Sequence, residues 1–230
     1  MKYLIIIVVS LTVLLSGCAT HVPTWQESMA DAVHQYGPAA EARVMPAFRK
    51  AGVAYPPQQV AFLIFKHERR LELWASDGTG WHFIKKYNVL AASGGPGPKL
   101  HEGDDQVPEG VYRLIGMNPQ SHFHLSLNVN YPNEFDRTHA AIDHRHQLGD
   151  DIFIHGNDVS IGCVAIGDKA IEELFMVVYR VGVENVQVVI APDDLRHKRP
   201  LTVNNAPVWL PQLYQQIQMA LSQFGSGTTG

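Results

Sequence analysis

The amino-acid sequence predicts a mainly β protein of the α+β class, with helices added at both ends of a strand-rich middle. Short apolar or alternating segments recur between residues 60 and 190, as is typical of β-strands. Helical patterns flank this middle at residues 24–51 and 207–224, and a further one follows residue 168. Apolar residues make up 46% of the 230-residue chain, so we expect a substantial core. We also expect the protein to be a monomer.

The first 17 residues have the pattern of an export signal. A short positive start precedes an apolar run over residues 3–15 and the sequence Leu15-Ser16-Gly17-Cys18. A run of this length is a signal-peptide core rather than a membrane span. Its ending resembles the lipobox of bacterial lipoproteins, which implies cleavage before Cys18 and a lipid on that sulfur. The next residue, Ala19, then favours the outer membrane, on the periplasmic face of the envelope. The alternative is a plain secretory signal.

Residues 18–58 are expected to form a tether with two helices outside the main sheet. Thr24 and Glu27 have capping-box spacing, and Gly37-Pro38 predicts the end of a first helix near Tyr36. A second helix is expected over residues 39–51. The strand-rich domain then covers residues 59–192, and residues 193–230 form a helical extension with a frayed tail.

Seven β-strands are expected along the chain. Residues 60–65, 70–74 and 81–90 predict a three-stranded meander, and later strands are expected at 111–115, 122–129, 152–154 and 186–190. The segment 122–129 alternates, with Phe123 on an apolar face and His124 on a polar one. That polar face lines a cleft or is simply solvated. Loops are expected at residues 93–99 and from Tyr131, followed by a polar segment that contains several histidines.

The side chains best suited to catalysis lie in one stretch of the sequence. His155 ends an apolar run, and Cys163 follows eight residues later in a Ser160-x-Gly162-Cys163 turn. If Cys18 carries lipid, Cys163 has no disulfide partner, because the chain has two cysteines. Oxidising compartments tend to consume free thiols. We therefore favour a catalytic cysteine over a buried inert one.

A neighbouring imidazole can activate such a thiol. It can hold the proton in an ion pair or remove it as a general base. Gly162 gives the turn backbone freedom, and the N–H groups of Gly162 and Cys163 could stabilise an oxyanion. The reaction class that this pattern indicates is acyl transfer through a thioester.

The motif His155-Gly156 followed by Ser160-Ile161-Gly162-Cys163 resembles the signature of the YkuD-type L,D-transpeptidase catalytic domain. Residues 107–112 resemble a second segment of that family, and the resemblance covers residues 60–190. It implies a β-sandwich or barrel-like catalytic domain. It also implies Cys163 as nucleophile and His155 as base, oriented by the carbonyl of Gly156. Ser160 would shape the turn, and Gly162 and Cys163 would contact the oxyanion.

The implied substrate is the stem peptide of peptidoglycan, attacked at the carbonyl of diaminopimelate. The acyl group would pass to an amine or to water. The sequence departs from the family pattern at Ile161, which replaces a histidine or arginine, and at Ala165, which replaces an arginine suited to a carboxylate. The interval from His155 to Cys163 is also short.

These departures resemble a divergent branch of the family. That branch shares the Ser-Ile-Gly-Cys turn, the Tyr-Pro-Asn segment at Tyr131 and a Gly-Pro-Lys loop like residues 97–99. It includes a periplasmic enzyme that detaches Braun lipoprotein from peptidoglycan. Hydrolysis and transpeptidation therefore stay open alternatives, with peptidoglycan-bound lipoprotein as a further candidate substrate.

Four side chains are candidates for substrate contacts. His124 and Tyr131 are candidates for polar contacts, and Lys99 and Arg137 are candidate anchors for a peptide carboxylate. The alternative for each is an ordinary surface residue.

Other functions are less consistent with the sequence. A net charge of −4 does not suggest nucleic-acid binding. The pairs His122-x-His124 and His144-x-His146 raise a metal-dependent hydrolase as an alternative, but they lack a His-Glu-x-x-His pattern. We expect neither a metal site nor a cofactor. A non-catalytic peptidoglycan-binding lipoprotein is the third alternative.

Overall fold

A computed structural model describes residues 24–225 of the chain. Within them the chain forms strands β1 (Gln59–Phe65), β2 (Arg70–Ser76), β3 (Trp81–Asn88), β4 (Ala91–Ala92), β5 (Gly110–Asn118), β6 (Ser126–Val129), β7 (Phe153–His155), β8 (Val164–Ala165) and β9 (Val186–Ala191). The helices are α1 (Trp25–Ala51), α2 (Glu134–Ile142), α3 (Asp168–Val181) and α4 (Leu210–Leu221), with a 3₁₀ turn at Val183–Asn185. The mainly β class is confirmed.

The strands form one curled sheet in the order β3-β2-β1-β9-β5-β6-β7-β8-β4. The predicted meander is present as the antiparallel strands β1, β2 and β3. β5 joins the two halves of the sheet, because its first residues pair with β9 and its later residues pair with β6. The register shifts between Leu114 and Gly116, and such an irregularity bends a strand. The second half carries the short parallel pair β7–β8.

The continuous apolar run of β1 is explained by helices on both faces of the sheet. Alternate residues Val60, Phe62 and Ile64 belong to the core that also contains residues of α1 and α3. The residues between them, Ala61, Leu63 and Phe65, belong to a second core with α4. A strand that is buried on both faces has a continuous apolar sequence, because neither face meets solvent. The C-terminal extension is therefore packed against the sheet.

The N-terminal segment differs from the expectation. The capping box of Thr24 and Glu27 is present, but one helix continues through Gly37-Pro38 to Gly52. The interior prolines Pro38 and Pro46 cost about 3 kcal/mol each. Against this cost, Met29, Val44 and Phe48 are buried, and each such side chain contributes about 1.5–3 kcal/mol. Burial against α3 outweighs the local signal, so α1 is part of the core rather than a tether beside it.

The segment around Phe123 was also predicted wrongly. The strand begins only at Ser126, and the preceding residues form a turn with His124 at φ 75°. The expected polar strand face of residues 122–128 therefore does not form. A further difference is the unpredicted helix α2, whose N-cap residue Asn133 forms a capping box with Asp136.

The remaining elements agree with the expectation to within a few residues. α3 extends to Val181, although Asp168 does not cap it, since Gly167 occupies the N-cap position without a side-chain bond. The signal segment with Cys18 and the last five residues lie outside the described part of the chain. No helix within residues 24–225 combines the length and apolar character needed to cross a membrane.

Candidate active site

Two adjacent strands bring His155 and Cys163 together. His155 is the last residue of β7, and Cys163 directly precedes β8. The strands pair in parallel, with His155 opposite Ala165. Paired residues share a face of the sheet, and so do residues two apart on one strand. Cys163 and His155 are therefore diagonal neighbours on the same face, as the sequence motif predicted.

The thiol of Cys163 is half-buried and protonated at rest. The backbone N–H of Phe153 donates to Sγ at 3.4 Å, and the thiol donates to the carbonyl of Asp151 at 3.6 Å. Burial raises the pKa of the Cys163 thiol, and the Phe153 N–H and the charge of Lys99 oppose this shift without reversing it.

The imidazole of His155 is buried and neutral. Its Nδ1 lies 2.6 Å from the carbonyl oxygen of Gly156, so Nδ1 carries the hydrogen and Nε2 keeps a lone pair. Burial lowers the pKa of His155, and the bond to Gly156 opposes this shift only in part. The ring of Phe123 lies over the imidazole, with the ring centroids 4.7 Å apart. This arrangement leaves Nε2 as the proton acceptor.

A neutral thiol beside a neutral imidazole favours general-base catalysis over a resting ion pair. The sequence left both alternatives open. The two pKa shifts point in opposite directions, and each one stabilises the neutral form of its group. This arrangement suits transfer of the thiol proton to His155 during attack by the sulfur, rather than beforehand.

This protonation state predicts slow alkylation of Cys163 at neutral pH. A free cysteine has a pKa of about 8.5 and is a few per cent thiolate at pH 7. We expect Cys163 to react with iodoacetamide more slowly than free cysteine at pH 7, with a rate that still climbs above pH 9. The measurement is alkylation rate against pH by intact mass. A fast reaction with a plateau below pH 7 would indicate a resting ion pair instead.

A chain of hydrogen bonds fixes the turn formed by residues 160–163, the candidate catalytic turn. The N–H of Gly162 donates to Ser93 Oγ at 2.6 Å, and Ser160 Oγ donates to the carbonyl of Cys163 at 2.6 Å. The two hydroxyls lie 3.1 Å apart. Because the Ser160 hydrogen is used on Cys163, Ser93 donates to Ser160. Ser160 therefore shapes the turn as predicted, but its anchor is Ser93, 67 residues away along the chain.

This network corrects the expected oxyanion contacts. Gly162 cannot offer its N–H to a substrate while Ser93 holds it. The N–H of Cys163 has no acceptor within residues 24–225, so it is the better candidate donor. Gly162 has φ +112°, a conformation that other residues rarely adopt. Its role is to permit the turn that aims the Cys163 N–H.

Loss of the Ser93 hydroxyl should weaken catalysis without unfolding the protein. In Ser93→Ala the Gly162 N–H and the Ser160 hydroxyl each lose a partner, at about 1 kcal/mol per bond. We expect kcat to fall by about 10-fold and the free energy of unfolding to fall by only about 1–2 kcal/mol. Steady-state kinetics beside urea unfolding checks this. Ser93→Thr keeps the hydroxyl and should retain most of the activity, and equal losses in both variants would contradict the assigned hydrogen bond.

Gly156 is glycine because its position has no room for a side chain. A Cβ there would lie 2.7 Å from Asp168 Oδ1 and 2.8 Å from the carbonyl of Phe123. The same carboxylate of Asp168 accepts the N–H of Asn157 at 2.8 Å. The close packing holds the Gly156 carbonyl in place for His155.

Tyr131 is not a substrate contact. It is 4% exposed, and its hydroxyl donates to the carbonyl of Leu148 at 3.2 Å. Lys99 is buried as well, and its Nζ donates to Asp104 Oδ1 at 2.6 Å and to the carbonyl of His101 at 3.0 Å. The charge of Lys99 lowers the pKa of the Cys163 thiol, while its ammonium group is held in an ion pair with Asp104. The ion pair leaves Lys99 poorly placed as an anchor for a peptide carboxylate, and that role stays a prediction.

The hydrogen bonds of the Cys163 thiol involve Phe153 and Asp151, and neither His124 nor Arg137 takes part. His124 Nε2 contacts Glu172 Oε1 at 3.0 Å, and its ring packs edge-on against Tyr36. These contacts tie the turn to α3 and α1, and a role of His124 in substrate binding stays a prediction. Arg137 is exposed on α2, and within residues 24–225 no contact joins its side chain to the catalytic turn. Its role as an anchor stays a prediction.

The histidine pairs of the metal alternative do not converge. His122, His144 and His146 are exposed, and His124 is paired with Glu172. Within the described residues, the group that could hold a cation is His67, Glu68 and Asp193, which lies outside the catalytic turn.

Comparisons with known proteins find related sequences and a related fold. The family model of the L,D-transpeptidase catalytic domain, YkuD, matches residues 59–190. YafK of Escherichia coli (strain K12), provisionally named an L,D-transpeptidase, is 35% identical over 154 residues, or 64% of this chain and 60% of YafK. The chain thus spans about 60% of the length of the curated relatives it matches.

Among solved structures, a mutant of the helical cell shape determining protein Pgp2 from Campylobacter jejuni has a similar fold. It has a TM-score of 0.50 and 20% identity, and the match covers 73% of this chain and 54% of that one. At this identity the likeness concerns the fold alone.

Proposed function

Because this chain belongs to the L,D-transpeptidase catalytic domain family, YkuD, we propose that it is a cysteine acyl-transfer enzyme of the cell envelope. Its substrates in this proposal are peptidoglycan stem peptides, attacked at the carbonyl of diaminopimelate. The observation that carries the proposal is the half-buried thiol of Cys163 on the same face as a neutral imidazole whose Nδ1 is fixed by Gly156.

The geometry supports a two-step reaction. His155 Nε2 accepts the thiol proton while Sγ attacks the substrate carbonyl, and the Cys163 N–H donates to the oxyanion that forms. The C–N bond then breaks, the amine leaves with the proton from His155, and the acyl group remains on Sγ as a thioester. In the second step His155 removes a proton from the acceptor, which attacks the thioester and restores the thiol.

The acceptor in this proposal is water or an amine, and hydrolysis includes the release of peptidoglycan-bound lipoprotein. Ala165 is fully buried and pairs with Ala91, so this turn carries no arginine for an acceptor or donor carboxylate. Lys99 is held by Asp104 and does not replace it. An attack by water needs no such anchor.

The two rival functions fit the site less well. A non-catalytic wall-binding protein would have no need for the hydrogen-bonded turn that aligns Cys163. A metal-dependent hydrolase would need the paired histidines to converge near Cys163, and His124 is committed to Glu172 instead.

The proposal places the enzyme on the periplasmic face of the envelope, anchored by lipid on Cys18. Its support is the Leu15-Ser16-Gly17-Cys18 pattern, since a protein with two acyl chains stays on a membrane. Cys18→Ser should move the protein from the membrane fraction to the soluble fraction. An unchanged distribution would exclude the lipid anchor.

The function itself is tested on purified peptidoglycan sacculi that still carry lipoprotein. The full-length chain in detergent is incubated with the sacculi, and the muropeptides are identified by mass. New crosslinks support transpeptidation, released diaminopimelate-linked peptides support hydrolysis, and no change over heat-killed protein contradicts both. Free amino acid added in excess separates the two activities, because only transpeptidation incorporates it.

A further inference from the structure

A second cluster of chemically capable side chains lies outside the catalytic turn. His67 and Glu68 are in the tight turn between β1 and β2, and Asp193 follows β9. Backbone bonds hold the two segments together, since the N–H of Lys66 donates to Ala191 and that of His67 donates to Pro192, both at 3.0 Å. One ligand atom from each of His67, Glu68 and Asp193 lies within 4.8 Å of the others.

Two carboxylate oxygens in this cluster are buried without a hydrogen-bond donor. Asp193 is 1% exposed, and its Oδ1 contacts His67 Nδ1 at 2.8 Å, while Oδ2 has no partner within the described residues. Glu68 Oε1 accepts hydrogen bonds from Lys198 Nζ at 2.6 Å and from the Asp194 N–H at 3.3 Å. Glu68 Oε2 is likewise buried and has no partner within the described residues. Buried carboxylate oxygens are normally satisfied, because leaving them unpaired is costly.

We propose that His67, Glu68 and Asp193 bind a divalent cation, and that the cation is zinc. One imidazole nitrogen and two carboxylates form a donor set that Zn²⁺ accepts, with solvent completing the tetrahedron. Mg²⁺ and Ca²⁺ prefer oxygen ligands alone. The His67 side chain is 60% exposed, so solvent reaches the site. The cation would supply the positive partner that Oδ2 and Oε2 lack.

The site is structural rather than catalytic. Its ligands come from the β1–β2 turn and the segment after β9, so a bound cation would join these two segments. His67 also lines a cavity of about 260 Å³ together with residues 94–96. That loop begins next to Ser93, which anchors the catalytic turn. A zinc ion at His67 would therefore lie beside the loop that supports Cys163, without contacting the thiol.

The test measures binding of Zn²⁺ alone to the full-length chain in detergent after chelator dialysis. We expect one Zn²⁺ per chain by titration calorimetry. At a hundredfold excess over the dissociation constant, the melting temperature should rise by about 5 °C. Mg²⁺ and Ca²⁺ at equal concentration should give no rise. Cys163→Ala serves as a second background, because thiolates also bind zinc, and the binding should be unchanged in it.

Variants decide whether these residues are the ligands. Asp193→Asn and Glu68→Gln should each weaken zinc binding at least 10-fold. His67→Ala should do the same and cannot cost much stability, because this side chain is mostly exposed. Asp77→Asn removes a carboxylate from a different turn and should bind normally. An absence of stoichiometric binding, or full affinity in His67→Ala, would overturn the proposal, and neither outcome bears on the acyl-transfer function.

Discussion

Replacing Cys163 with alanine is expected to abolish turnover of peptidoglycan stem peptides, a loss on the order of 10⁴–10⁶-fold in kcat. The thioester cannot form without Sγ, and no other thiol lies within residues 24–225. The fold should survive, because Sγ makes only long hydrogen bonds to Phe153 and Asp151. Muropeptide analysis of sacculi after prolonged incubation measures the loss.

Val159→Ala is the matched control for that variant. Val159 lies near the same turn and is 51% exposed, so its truncation should leave both turnover and melting temperature close to those of the wild type. Residual turnover above one hundredth of the wild-type rate in Cys163→Ala would show that another group carries the acyl transfer.

Replacing His155 with alanine should lower kcat by about 10²–10⁴-fold, the usual contribution of a general base. The thiol pKa is raised by burial, so Cys163 depends on a proton acceptor at neutral pH. Exogenous imidazole should restore part of the activity, which a merely structural loss would not allow. His122→Ala removes an exposed histidine from the adjacent turn and should have little effect.

The pH profile gives a second readout for His155. Its pKa is lowered by burial, so the imidazole stays neutral at pH values where an ordinary histidine is already protonated. The acid limb of kcat/KM in the wild type should therefore fall below about pH 6.5. His155→Gln should lose that limb. An acid limb above pH 7 would contradict a neutral base at rest.

The placement of His155 beside Cys163 was predictable because the geometry that sets it is local. His155 ends an apolar strand, and Cys163 lies eight residues later beside the parallel partner strand. A short connection leaves few alternative placements for the two side chains. The residues around the pair were not predictable in the same way. Ser93 meets Gly162 across 69 residues, and its sequence surroundings indicate only a flexible loop.

Tertiary packing explains where the sequence interpretation failed. Gly37-Pro38 indicates a helix end, but burial of residues such as Phe48 against α3 keeps α1 continuous. The alternation around Phe123 indicates a strand, whereas the positive φ of His124 places a turn there. Lys99 and Tyr131 have polar ends typical of binding residues, and the structure satisfies those ends internally. Long-range partners of this kind leave no trace in a local pattern.

The most direct test of the account is detection of the acyl group on Cys163. The full-length chain is mixed with peptidoglycan tetrapeptides, quenched in acid within the first turnover and analysed by intact and peptide mass. We predict a mass increase equal to the donor acyl fragment on the peptide that contains Cys163, sensitive to hydroxylamine and absent in Cys163→Ala. Product formation without any adduct on Cys163, or an adduct on another residue, would contradict the proposed mechanism.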